Sequence, residues 1–165
     1  MLKSIRLGAA GVAIAATLGM TSAAHAVTAQ ATATAEILEA LDVVAVSALD
    51  FGVIAANGAG TVAVATNSGV TCGANLICTG TAAAGQLTVD GSAGATVGIS
   101  LPSTSTTLNG PASATMSVTG LTLSDATLVL SGSPDAFTVG GTLNVAAAQT
   151  AGTYTGTFDV AVEYQ

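Results

Sequence analysis

The closing stretch GTYTGTFDVAVEYQ (152–165) alternates with a period of two. Tyr154, Phe158, Val160, Val162 and Tyr164 put apolar groups on even positions, while Thr153, Thr155, Thr157, Asp159, Glu163 and Gln165 put polar ones on odd positions. Successive side chains of a strand point to opposite faces, so the pattern predicts a strand over 153–165 with one face in a core and its edges open to pairing.

The same period runs outward through the chain. Between Val27 and Ile37 every odd position is apolar (Val27, Ala29, Ala31, Ala33, Ala35, Ile37), and Thr28, Gln30, Thr32, Thr34 and Glu36 fill the even ones. A helix over 35–41 would gather Ile37, Leu38 and Leu41 on one side, but Val43, Val44 and Val46 favour a strand. Further strands are predicted at 61–66, 70–79, 86–90, 95–101, 112–119, 121–130 and 136–145. Turn residues separate them, among them Asn57-Gly58, Asn67-Ser68-Gly69, Asp90-Gly91, Asn109-Gly110-Pro111 and Gly140-Gly141. Many short strands at this spacing, without a long helical pattern, predict an all-β fold. An immunoglobulin-like β-sandwich is expected, with a barrel as the alternative.

Residues 1–26 carry the plan of a cleaved secretory signal. Lys3 and Arg6 are followed by an apolar stretch from Leu7 to Met20 and by the small-residue site Ala24-His25-Ala26. Gly8, Gly11, Thr17 and Gly19 interrupt that stretch, which falls short of the roughly 20 residues of a bilayer span. Behind it the reading divides the chain into an N-terminal extension (27–48) and one sandwich domain (49–165).

Composition narrows the chemistry. The protein has 165 residues, 50% hydrophobic but only 3% aromatic and 7% charged. Its basic side chains, Lys3 and Arg6, and its one histidine, His25, all fall in the leader, so the remainder holds nine carboxylates and no cationic side chain. Nucleic-acid binding is excluded, because Lys and Arg supply its phosphate neutralisation. Histidine or lysine acid–base catalysis and arginine clamps on phosphate are excluded with it. No enzyme activity and no cofactor are expected. With five aromatic residues after the leader (Phe51, Phe137, Tyr154, Phe158, Tyr164), packing rests on aliphatic side chains, each fully buried larger one worth roughly 1.5–3 kcal/mol.

Cys72 and Cys78 stand in Cys-Gly-Ala-Asn-Leu-Ile-Cys. Export makes a disulfide the expected state, and five intervening residues let a hairpin fold back to close it. Two thiols without histidine are half a zinc site, and the spacing is not Cys-x-x-Cys. Carboxylate pairs such as Asp159 and Glu163 share the polar face of the last strand and read as solvated charge. Asp90, Asp125 and Asp135 lie in or near turns but lack the spacing of a calcium loop. Gly140-Gly141 lacks the lysine of a phosphate loop.

The chain resembles subunits of bacterial pili assembled by the chaperone–usher route, whose last strand alternates, with a glycine fourteen residues from the end and a tyrosine second from the end. Gly152 and Tyr164 occupy those places. The exported N-terminal strand, Leu49-Asp50-Phe51-Gly52, and Gly152-Thr153-Tyr154 are similar to the coat-protein-U-like pilins of that superfamily. Residues 137–143 and 148–154 resemble more closely still a Gram-negative exported family known as a domain of unknown function. The resemblance implies an incomplete sandwich whose groove receives a strand from a chaperone and then from the next subunit, by strand addition to an open edge. It implies Val27–Ile37 as the donor strand, presenting Ala29, Ala31, Ala33 and Ala35 ahead of Ile37, with the richer stretch Ile37–Val46 as the alternative. It implies Gly152, Tyr154, Phe158, Val160, Val162 and Tyr164 as the edge strand beside the groove. The partners implied are other pilin-like subunits, a periplasmic chaperone and an outer-membrane usher. The place implied is the periplasm in transit and then the cell surface, in adhesion or biofilm formation. The alternative function is a self-contained secreted β-domain that binds a ligand such as carbohydrate or calcium.

Overall fold

The computed structural model describes residues 26–165. Apart from Ala26, the predicted signal peptide lies outside the described residues. The chain divides into two units, Met1–Ala35 and Glu36–Gln165. In the first, residues 26–35 are exposed and have no regular secondary structure.

The second unit is built of β1 (Asp42–Ser47), β2 (Val53–Ala56), β3 (Gly60–Val64), β4 (Val70–Cys72), β5 (Leu76–Thr79), β6 (Gly85–Asp90), β7 (Thr96–Ser100), β8 (Thr106–Asn109), β9 (Thr115–Leu123), β10 (Thr127–Val129), β11 (Asp135–Val145) and β12 (Ala161–Tyr164). The only helical turn among the described residues is a 3-10 turn at Pro111–Ser113. The largest sheet runs β1-β6-β11-β3-β4, with β9 also paired to β11 and β8 to β9. A second sheet runs β10-β7-β12, and β2 pairs with β5 alone. All pairs are antiparallel. The result is an open, curled half-barrel whose edges lie 16 Å apart.

Alternation drives the core. In β6, Gly85, Leu87 and Val89 are buried while Gln86, Thr88 and Asp90 are half-buried, and β11 buries Phe137, Val139, Leu143 and Val145 on one face. Val62 and Val64 of β3, Val118 and Leu121 of β9 and Val97 and Ile99 of β7 complete this aliphatic interior around Phe137.

β11 holds the large sheet together by changing partners. Asp135–Val139 pairs with β6 and Gly141–Val145 with β3. Gly140-Gly141, predicted as a turn, lies inside this strand instead. A Cβ on Gly140 would meet the Val64 carbonyl at 2.5 Å and the Thr66 nitrogen at 2.9 Å, so the glycine is there to let two backbones close up. Across β9, Gly120 and Leu121 face the single residue Gly141 in a bulge, with Gly120 at φ +62°.

Other expectations shift. The strand predicted over 70–79 is split by a turn into β4 and β5, and 121–130 divides between the end of β9 and β10. β8 was not predicted. Asp42–Ser47, read as part of the N-terminal extension, is a sheet strand paired to β6 with a bulge at Val46. No helix forms over 35–41, and Val27–Ile37 has no strand partner. Of the strand predicted over 153–165 only Ala161–Tyr164 is in a ladder, though the alternation survives in burial: Tyr154, Phe158, Val160, Val162 and Tyr164 are half-buried, and Thr153, Thr155, Thr157, Asp159, Glu163 and Gln165 exposed.

Candidate functional site

Between the end of β1 and the C-terminal segment runs a trough of about 1080 Å³. Residues 45–56 line one side and 149–158 the other; Leu87, Leu108, Met116, Val118, Leu143 and Val145 lie at its base.

The tetrapeptide Leu49-Asp50-Phe51-Gly52 shapes the first rim. Asp50 exchanges two main-chain hydrogen bonds of 2.9 Å with Ala83, and its Oδ1 accepts the Gly52 N–H at 2.8 Å. Gly52 has φ +72°, and a Cβ there would come within 2.9 Å of the Thr79 carbonyl. Phe51 plugs the core. The motif thus turns the chain out of its pairing with β6 and into β2, which pairs with β5.

The second rim begins with Gly152-Thr153-Tyr154. Gly152 lies at φ +147° against the Pro111 ring. The Tyr154 ring covers Gly110, whose position has no room for a side chain beneath it. The Tyr154 hydroxyl donates to the Thr150 carbonyl and accepts from Gln149 Nε2, both at 2.7 Å. Thr155 then exchanges main-chain hydrogen bonds of 2.7 and 2.9 Å with Asn109. From Gly156 to Val160 no main-chain hydrogen bond joins the backbone to another segment; the Thr157 carbonyl accepts only the Thr106 hydroxyl, at 2.6 Å. Pairing resumes at Ala161 with β7. A stretch with strand alternation is therefore left without a ladder partner beside the trough.

The expected edge residues separate in space. Gly152, Tyr154 and Phe158 line the trough, whereas Val160, Val162 and Tyr164 pack against the core beyond it. Tyr164 works at the entry of the second unit. Its hydroxyl donates to the Glu39 carbonyl and accepts the Ser92 N–H, each at 2.9 Å, while Ser92 Oγ accepts the Glu39 N–H at 2.7 Å. Gly91 makes room, since a Cβ there would lie 2.5 Å from that hydroxyl. Sequence reading missed the β1–β2 rim and the base of the trough. The tetrapeptide signalled the rim; the base depends on β6, β8, β9 and β11 meeting in space and had no local signal.

Ala29, Ala31, Ala33, Ala35 and Ile37 are all exposed. The alternative donor Ile37–Val46 is partly engaged, because Asp42–Ala45 already pairs with Asp90–Leu87. Cys72 and Cys78 form a disulfide with Cα atoms 6.1 Å apart, closing the turn between β4 and β5.

Asp50 is the one carboxylate lining the trough. Among the described residues no three His, Cys, Asp or Glu side chains are placed to hold a metal ion, and no helix is long and apolar enough to cross a membrane. No curated protein and no solved structure matches the chain. Residues 41–164, the span from just before β1 to β12, match the family described as Domain of unknown function (DUF4402), and the chain belongs to that family.

Proposed function

We propose that this protein is an exported structural subunit of a surface filament, an incomplete immunoglobulin-like sandwich of the pilin type whose trough receives an extended strand from another copy. The observation that carries the reading is the second rim. Gly156–Val160 alternates as a strand yet has no main-chain partner, and its first three residues, Gly156–Phe158, border an apolar trough along an open sheet edge. Extended peptides add to such edges through main-chain hydrogen bonds, with alternate side chains giving register. An uncovered edge is otherwise an aggregation site, so a partner strand is the natural state of this one.

The exposed stretch Val27–Ile37 is the donor of this reading, and repeated head-to-tail donation gives an open filament rather than a closed ring. A periplasmic chaperone would cover the trough before assembly and an usher would pass the subunit outward to the cell surface, for attachment or biofilm formation. Native mass analysis of the purified mature chain tests the reading. A ladder of polymers is expected, and deleting residues 27–35 should leave monomers with unchanged β-content. A parent chain that is monomeric at every concentration, with no chaperone complex recovered from the periplasm, would refute it.

A further inference from the structure

We propose that the Cys72–Cys78 disulfide is a positioning element of the trough, holding its first rim where an incoming strand can be gripped; this rests on the strand-receiving role above. β2 supplies part of that rim, for Val53, Ile54, Ala55 and Ala56 all line the trough. Yet β2 belongs to neither of the larger sheets. Its one ladder partner is β5, and β5 has no ladder partner but β2. An isolated pair of short strands is marginal in water, so the rim is only as well placed as the fastenings of this pair.

Those fastenings are few. At the start of β5, Leu76 is buried in the core, and the Gly73 N–H in the turn before it donates to the Thr61 carbonyl at 2.8 Å. At the other end the pair joins the domain through Gly52 (φ +72°) and Gly80 (φ +76°), beyond which Asp50 and Ala83 exchange their hydrogen bonds. Glycine has the widest backbone freedom, so these two residues give the pair a place to swing. Between the two ends sits the disulfide. Cys72 lies in β4 directly opposite Val62, a fully buried residue of β3, and Cys78 lies in β5 directly opposite Ile54. The bridge thus joins the large sheet covalently to the strand pair that carries Ile54, the half-buried apolar side chain of β2 in the trough lining. Ile54 and Cys78 also pack against the core, and the bridge keeps that packing in register. A rim held in its binding position spares the incoming strand the cost of ordering it.

Fluorescence anisotropy of a labelled peptide of residues 27–37 would test this, with dilute mature chain titrated in three forms. They are the bridged parent, Cys72→Ser with Cys78→Ser, and Ser92→Ala, which loosens the far end of the domain and leaves the bridge intact. Circular dichroism would establish that each form is folded at the temperature of the titration. The expected result is peptide binding by the parent, at least roughly tenfold weaker binding by the folded double-serine form, and binding by Ser92→Ala within about twofold of the parent. Equal binding by the parent and the double-serine form would overturn the positioning role and leave the strand-receiving trough standing. So would equal weakening of the double-serine form and Ser92→Ala, since the loss would then follow stability and not the rim. A double-serine form without β-content would also overturn the positioning role, because the bridge would then hold the whole fold. Binding by no form, the parent included, would overturn the strand-receiving trough and this proposal with it.

Discussion

Replacing Tyr164 with phenylalanine removes one oxygen atom and, with it, the two hydrogen bonds that tie the Glu39 carbonyl and the Ser92 N–H to β12. The ring stays, so its packing against the buried core is kept and the change reports on the hydroxyl alone. A net hydrogen bond contributes about 1 kcal/mol, and a partly buried donor left without an acceptor costs about 1–3 kcal/mol. Glu39 is exposed and its carbonyl can turn to water; Ser92 is half-buried, so its N–H carries most of the loss. The sum is roughly 1.5–3 kcal/mol, which for a domain of this size lowers Tm by about 5–10 °C. Thermal denaturation followed by circular dichroism would measure it, and amide exchange would locate it at Ser92 and Glu39. Ser92→Ala removes the third bond of the cluster, from the Glu39 N–H, and should couple to Tyr164→Phe in a double-mutant cycle. A Tyr164→Phe protein that melts within 1 °C of the parent, with unchanged exchange at both amides, would show that the hydroxyl fastens nothing.

Three further outcomes follow from local geometry. Reducing the Cys72–Cys78 bridge, or replacing both cysteines with serine, should cost about 2–2.5 kcal/mol by the loop-entropy estimate and leave β-content unchanged; denaturant titration with and without reductant measures it. Asp42 lies directly opposite Asp90 in the β1–β6 pair, so Asp42→Lys should stabilise by about 0.2–1 kcal/mol, and more at low salt, read from the shift in denaturation midpoint. Gly140→Ala should destabilise by roughly 2–3 kcal/mol, because its Cβ would be forced against β3 backbone, and a midpoint within 0.5 kcal/mol of the parent would refute that account.

The strands were legible where burial alternates and pairing is complete. β6 and β11 wrote their partner faces into single residues, Leu87 and Val89 against Gln86 and Thr88, and the structure kept them. Gly140-Gly141 was misleading because a glycine pair marks a turn and a close backbone approach equally well, and only the position of β3 decides between them. β8 was invisible since Thr106–Asn109 holds a single large apolar residue, Leu108, and owes its place to β9. At the candidate site the sequence named Gly152, Tyr154 and Phe158 on one rim, because an unpaired strand keeps its alternation. It grouped Tyr164 with them for the same reason, but alternation fixes a face and says nothing of position along the molecule. Tyr164 is a full strand away from Tyr154 and fastens the opposite end.

The distribution of charge bears on how such an open edge stays orderly. Asp42 faces Asp90, Asp135 faces Val89, Glu39 is bonded to Ser92, and Glu163 precedes the tyrosine that meets them. These five carboxylates gather at the end where the chain enters the second unit. The opposite end is made by the turns that flank the Gly60–Val145 and Asn109–Thr155 pairs, and residues 56–60, 73–76, 109–114 and 146–152 contain no acid. With no cationic side chain in the described residues, two acidic ends brought together have nothing to neutralise them, and within a Debye length of about 8 Å at physiological salt that repulsion is felt. An acidic end set against an acid-free end meets no such penalty. Charge thus disfavours setting two copies acidic end to acidic end, and the head-to-tail stacking of the proposed filament carries no such penalty.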